Sequence, residues 1–153
     1  MPVKRDNPYG AFNYLVTLGG QTGDGTLGKV IGGFSDVSGL GVEVNYSEYR
    51  NGNEVVNTVR KVPNTHKQDD ITLKRGLMGS DDLFLWIKNP RDGFPEPRQI
   101  TVVLLDEARR TVATWRIRNA QPKKWTGPTL AAKGGGEVAM EELSLVHEGV
   151  DYV

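Results

Sequence analysis

Apolar residues recur at every second position in stretch after stretch of this chain, and that period limits what it can fold into. Successive side chains of a strand point to opposite faces, whereas a helix repeats every 3.6 residues. In "FNYLVTL", Phe12, Tyr14, Val16 and Leu18 share one face. "GVEVNYSEY" sets Val42, Val44 and Tyr46 against Glu43, Asn45 and Ser47. "ITLKRG" is a short strand with Ile71 and Leu73 inward, and "TVATWRIRNA" sets Ala113, Trp115 and Ile117 against Thr114, Arg116 and Arg118. "QITVVLLD" is apolar on both faces, as suits a central strand covered on two sides. Residues 106–110 then read as a tight connection, which makes 100–119 a hairpin. In "EVAMEELSLVHEG" the alternation runs through Val138 and Met140, then Leu143 and Leu145. The step of three predicts a bulge near Glu141 and Glu142.

One stretch departs from this period. In "GSDDLFLWIKNP", Leu83, Trp86 and Ile87 fall at i, i+3 and i+4, one face of a helix. Ser80 is placed to cap it, Asp81 and Asp82 sit at the positive end of its dipole and Lys88 at the negative end. Asn89-Pro90 is expected to end it. Many strands and one short amphipathic helix predict a mainly β fold, a barrel or sandwich with the helix plugged against an open side. The 153 residues read as a single domain, 1–153, and the glycine-rich stretches 19–28 and 134–136 as exposed loops.

Residues 50–70 fit neither period. They are largely polar, and long structureless loops in compact domains usually have a function. Val55, Val56, Val59 and Val62 are spaced to form a narrow stripe on a helical turn, too small to bury much alone. The segment is therefore expected to be an arm ordered by contact with a partner.

Several function classes are disfavoured. Lysine and arginine number 19, as do aspartate and glutamate, so the chain lacks the positive charge that generic nucleic-acid binding draws on. Without cysteine there is no disulfide, thiolate-zinc site or thiol nucleophile. No apolar run approaches the ~20 residues that span a bilayer, and "MPVKRDNPYG" does not read as a secretory signal, so synthesis in the cytosol is expected. "GDGTLGKV" places Gly23, Gly28 and Lys29 as in a phosphate-binding loop. Val30 stands where that loop needs a hydroxyl, and the next residues are poor helix formers. His66 and His147 lack the partners that a metal site or a catalytic base requires, and no cofactor is expected. Arg109, Arg110, Arg116, Arg118, Lys123 and Lys124, interleaved with Trp115 and Trp125, offer a stacking platform for an OB-like nucleic-acid-binding barrel. Against that, Trp115 shares the core face with Ala113 and Ile117, which leaves Arg116 and Arg118 on a solvated or subunit-facing side.

Taken in order, four stretches resemble the tail tube proteins of contractile phages and related injection particles. They are "GGFSDVSGLGVEVNYSEYRNG", "RKVPNTHKQDDITLKRGL", "WRIRNAQPKKWTGPTL" and "EVAMEELSLVHEGV", and the likeness spans 9–150. Asn64, where the family often has glycine, and Val62, where leucine is usual, are its departures. The resemblance implies a barrel with one helix, shared with type VI secretion tube proteins, that forms hexameric rings. The rings would stack into a hollow tube for protein or DNA cargo, inside a contractile sheath and between a baseplate or spike and a terminator. The setting it implies is a phage tail or an extracellular phage-tail-like particle, without stable membrane insertion. On this view the subunit and ring contacts are expected at Arg50, Val55, Val56, Val59, Lys61, Asp69, Arg116, Arg118 and Glu141.

Overall fold

A computed structural model describes residues 2–19, 33–79, 81–135 and 137–153. Among the described residues, nine strands and one helix follow in the order β1 (Tyr14–Gly19), β2 (Asp36–Ser38), β3 (Val42–Tyr49), β4 (Arg60–Gln68), β5 (Ile71–Gly76), α1 (Asp82–Arg91), β6 (Arg98–Leu105), β7 (Thr111–Thr126), β8 (Met140–Val146) and β9 (Gly149–Tyr152). The phosphate-loop match at Gly23, Gly28, Lys29 and Val30 lies outside the described residues, as does Ser80.

Strand β7, 16 residues long, organises the body. Its first half pairs with β6 on one side and β9 on the other, and its second half pairs with β8. The change of sheet comes at Asn119, whose φ of 48° lies in the left-handed region that asparagine tolerates. One layer is therefore β1-β6-β7-β9 and the other β7-β8-β5-β2, all antiparallel. The layers face each other as a sandwich rather than closing into a barrel. Leu18, Ile71, Leu73, Ile100, Val102, Ile117, Leu143 and Leu145 fill the space between them, with Leu83 and Trp86 of α1.

The expected hairpin at 100–119 forms, and β7 carries it further. Asp106 shapes its turn, accepting the Ala108 and Arg110 amides at 2.9 and 2.8 Å. Phe12 does not join the face of Val16 and Leu18; it precedes the strand and is exposed. The helix runs one residue past Pro90, since proline in a last turn forfeits only one backbone bond, and Gly93 at φ 96° turns the chain instead. Trp86, 1 % exposed, donates its indole N–H to the Glu96 carbonyl at 2.9 Å and lies under the Arg98 guanidinium.

The expected bulge near Glu141 and Glu142 is absent, because the inward face holds a charge. Ile71 faces Leu145, Leu73 faces Leu143 and Arg75 faces Glu141 in unbroken register. Glu141 is only 2 % exposed and forms an ion pair with Arg75; its second oxygen accepts the Trp125 indole N–H at 3.3 Å. A third apolar pair is thus replaced by a buried salt bridge. Val138, read as the first inward residue of that strand, is exposed before it begins.

The N-terminal segment is laid against the β6–β7 turn. Val3 donates its amide to the Val112 carbonyl at 2.9 Å, and Arg5 binds both Glu107 oxygens at 2.8 and 3.0 Å. Arg5 holds the Glu107 carboxyl down at about 2, against an ordinary value of 4.5. A carboxyl depressed on folding stabilises fully above its ordinary value and loses that contribution as pH falls through the folded value. Protection of the Val3 amide, its exchange rate relative to the unstructured rate at the same pH, is therefore expected to hold at pH 4.5 and to fall as the pH is lowered towards 2. A loss complete by pH 4 would show that Arg5 does not hold the segment.

Candidate assembly surface

Strands β3 and β4 stand apart from the sandwich as a two-stranded ribbon. All eight residues of β3 are exposed, and so are all of β4 but Gln68. The segment 50–70, expected to be a loop-like arm, is thus nearly half strand, and only 50–59 lies between β3 and β4. Val62 sits in β4 opposite Ser47, so the valine stripe on a helical turn does not form.

The ribbon has two unlike faces. Side chains of directly paired residues share a face. One face carries Val42 with Gln68, Val44 with His66, and Tyr46 with Pro63. The other carries Glu43 with Lys67, Asn45 bonded to Thr65, and Ser47 bonded to Asn64 at 2.9 Å. A bulge on β4 between the Val44 and Tyr46 pairs brings Pro63 onto the first face, which ends at the Glu48–Lys61 pair, and turns Val62 to the other beside Ser47. Val42, Val44 and Tyr46 on the first face are exposed, Tyr46 by 58 %. The alternation of Val42, Val44 and Tyr46 is real, but no core of their own chain lies beneath it.

The residues singled out for contact fall into three groups. Val55 and Val56 project from the ribbon loop, and Val59 is partly exposed beside them. Arg50 shapes that loop, donating to the Glu54 and Val56 carbonyls and to the Asn57 side chain at 2.9, 3.3 and 3.2 Å. Lys61 pairs with Glu48 across the strands, and Asp69 lies at the ribbon's root. The second group is Arg116 and Arg118 on the outer face of β7, where Arg118 meets Asp151 at 3.3 Å. Glu141 stands alone: expected at a subunit surface, it is enclosed with Arg75 and leaves the set.

Sequence reasoning missed Tyr46, Pro63 and the roles of Gly39, Gly41 and His147. The stacking platform is not free either. Trp115 packs against Tyr152 with centroids 5.3 Å apart, and Trp125 against the edge of Phe84 at 5.2 Å. Trp115 is half-buried at the margin of the core, whereas Trp86 is the fully buried tryptophan. Among the described residues, no helix is long and apolar enough to cross a membrane.

Residues 10–151 match the family model of the T4-like virus tail tube protein gp19. No curated protein sequence matches the chain significantly. The fold is similar to a chain of the sheath–tube complex, in its extended state, of the extracellular contractile injection system PVC. Identity there is 28 % over 95 % of this chain and 91 % of that one, with a TM-score of 0.80. A chain of the extended PVC sheath/tube terminator is also 28 % identical over 97 % of this chain and 98 % of that one, with a TM-score of 0.82. A type six secretion system protein, 9 % identical over 93 % of this chain and 83 % of that one, shares the fold at a TM-score of 0.53.

Proposed function

Because this chain belongs to the family of the T4-like virus tail tube protein gp19, we propose that it forms hexameric rings which stack into the hollow inner tube of a contractile injection machine. One observation carries the reading: a two-stranded ribbon with both faces in water. Such a ribbon is marginal alone and gains stability when a partner covers its apolar face. A second copy of the chain is that partner here. The contact is head-to-tail, so repetition closes a ring or propagates a tube. Among the described residues, the ribbon's outer edges and those of β1 and β2 have no further strand paired to them and are open to neighbouring copies.

The remaining partners follow from the setting of the relatives. A contractile sheath encloses the tube, a baseplate or spike starts it and a terminator ends it. Protein or DNA cargo occupies the lumen. The subunit is made in the cytoplasm and works in a phage tail or a phage-tail-like particle. Its part is mechanical rather than catalytic. The proposed contact residues are Val55, Val56 and Val59 on the ribbon loop, Arg50, Lys61 and Asp69 along the ribbon, and Arg116 and Arg118 on β7.

Amide exchange tests the loop's part. Residues 51–59 are expected to exchange quickly in the free chain and to be protected on assembly. Val56→Ser with Val59→Ser should weaken stacking while leaving the melting temperature unchanged. Equal protection of the loop in free and assembled chains would show that it packs on its own subunit.

A further inference from the structure

The ribbon continues the sheet that carries it. Strands β2 and β3 follow each other across 39–41, and β4 and β5 across 69–70, so the four make one long hairpin interrupted at a joint. The joint is closely built. Gly39 has φ 91°, and a Cβ there would collide with the Asp70 carbonyl; one on Gly41 would collide with the Asp69 carboxylate. At Gly39 the obstacle is backbone, so only glycine fits there, whereas at Gly41 it is the movable end of a side chain.

Two side chains from different strands of the body hold the joint. His147, just after β8, has its Nε2 2.8 Å from the Asp69 carbonyl oxygen. A carbonyl only accepts, so Nε2 carries the proton and donates it. The ring's Nδ1 is buried without a partner among the described residues, so the contact with Asp69 is the one that orients the ring. From β7, Lys123 Nζ meets Asp70 Oδ2 at 2.8 Å. That ion pair is exposed and weak by itself. Next to the histidine contact it restrains the adjacent residue of the same joint. Behind His147, the Glu148 carboxylate accepts the Asn119 amide at 2.7 Å, which ties the corner to the point where β7 changes sheet.

We infer that this joint is a brace that sets the direction of the ribbon before a second copy of the chain arrives. The inference rests on the reading of the ribbon as the assembly surface. Holding the ribbon in its bound direction lowers the ordering cost of association. His147 and Lys123 are positioning residues here, since they act through Asp69 and Asp70.

The chain has no cysteine, so cysteines placed at the exposed Thr65 of β4 and Thr111 of β7 are the only labelling sites. Spin–spin distances between ribbon and body are then measured in the full-length chain, diluted with unlabelled copies so that only the intramolecular pair is read. The wild-type brace gives one narrow distance. His147→Ala with Lys123→Ala is expected to lose that single peak, and His147→Gln, whose amide still donates, to keep it. Lys123→Ala alone, an exposed change that the fold tolerates, is expected to broaden the peak. A peak as narrow as wild type in Lys123→Ala and in the double variant would overturn the brace. The distance reads the same question whether or not rings form, so failure of the assembly reading is seen separately.

Discussion

Glu141→Ala is expected to cost about 3–5 kcal/mol of folding stability. The substitution takes from the Arg75 guanidinium, only 8 % exposed as a side chain, the carboxylate that faces it across the strands. It also removes the acceptor of the Trp125 indole N–H. Taking a charge out of water is expensive, and the opposite charge in good geometry is what offsets it. The loss therefore exceeds that of an ordinary surface ion pair, which contributes about 0–1 kcal/mol. Replacing both partners is the informative control. Arg75→Met with Glu141→Leu would extend the apolar ladder of Ile71–Leu145 and Leu73–Leu143 by one rung. Such replacements are often neutral, or stabilising by about 1–4 kcal/mol. Urea unfolding of the single and double variants checks this. A single variant as stable as wild type would mean that the pair is not sealed from water.

The second large effect falls on assembly rather than folding. Val44→Asp with Tyr46→Asp places two carboxylates on the apolar face of the ribbon. Because that face is exposed within the chain, the fold should hardly notice, changing by roughly 0.5 kcal/mol or less for each substitution. Against a second copy the same carboxylates would be buried without partners, at several kcal/mol each. Sedimentation should show an intact chain that no longer forms the large species of the wild type. A variant that melts early would place Val44 and Tyr46 in a core of their own subunit. One that assembles normally would move the contact to another surface.

Much of the body is legible in the residues, and what is not has physical reasons. The period of two located the strands at 14–18, 71–74 and 111–118, because each has one face on the core, while 100–105 showed as an unbroken apolar run. The helix was equally plain from Leu83 and Trp86. Glu141 was not, since a charge at an inward position breaks an apolar alternation just as a bulge does. Its partner Arg75 lies 66 residues away, where no local pattern reaches. The ribbon misled in the opposite sense. Val42, Val44 and Tyr46 alternate as in any half-buried strand, and the pattern says that the face is to be covered without saying by which chain. The same ambiguity hid β4 inside a stretch that read as loop: Lys61, Asn64, Thr65 and Lys67 suit a strand whose partner is another exposed strand. Closure was illegible too, because alternation assigns an inside and an outside in barrels and sandwiches alike. The family likeness carried the function further than periodicity did, and the residues that build the joint, Gly39, Gly41 and His147, lie within the quoted stretches.

The central claim is that the chain makes rings with copies of itself, and electron microscopy of the purified protein tests it most directly. Class averages are expected to show annular particles with sixfold symmetry and a central opening, some stacked into short tubes at higher concentration. Images of compact single chains at every concentration, with no annular class, would contradict the account.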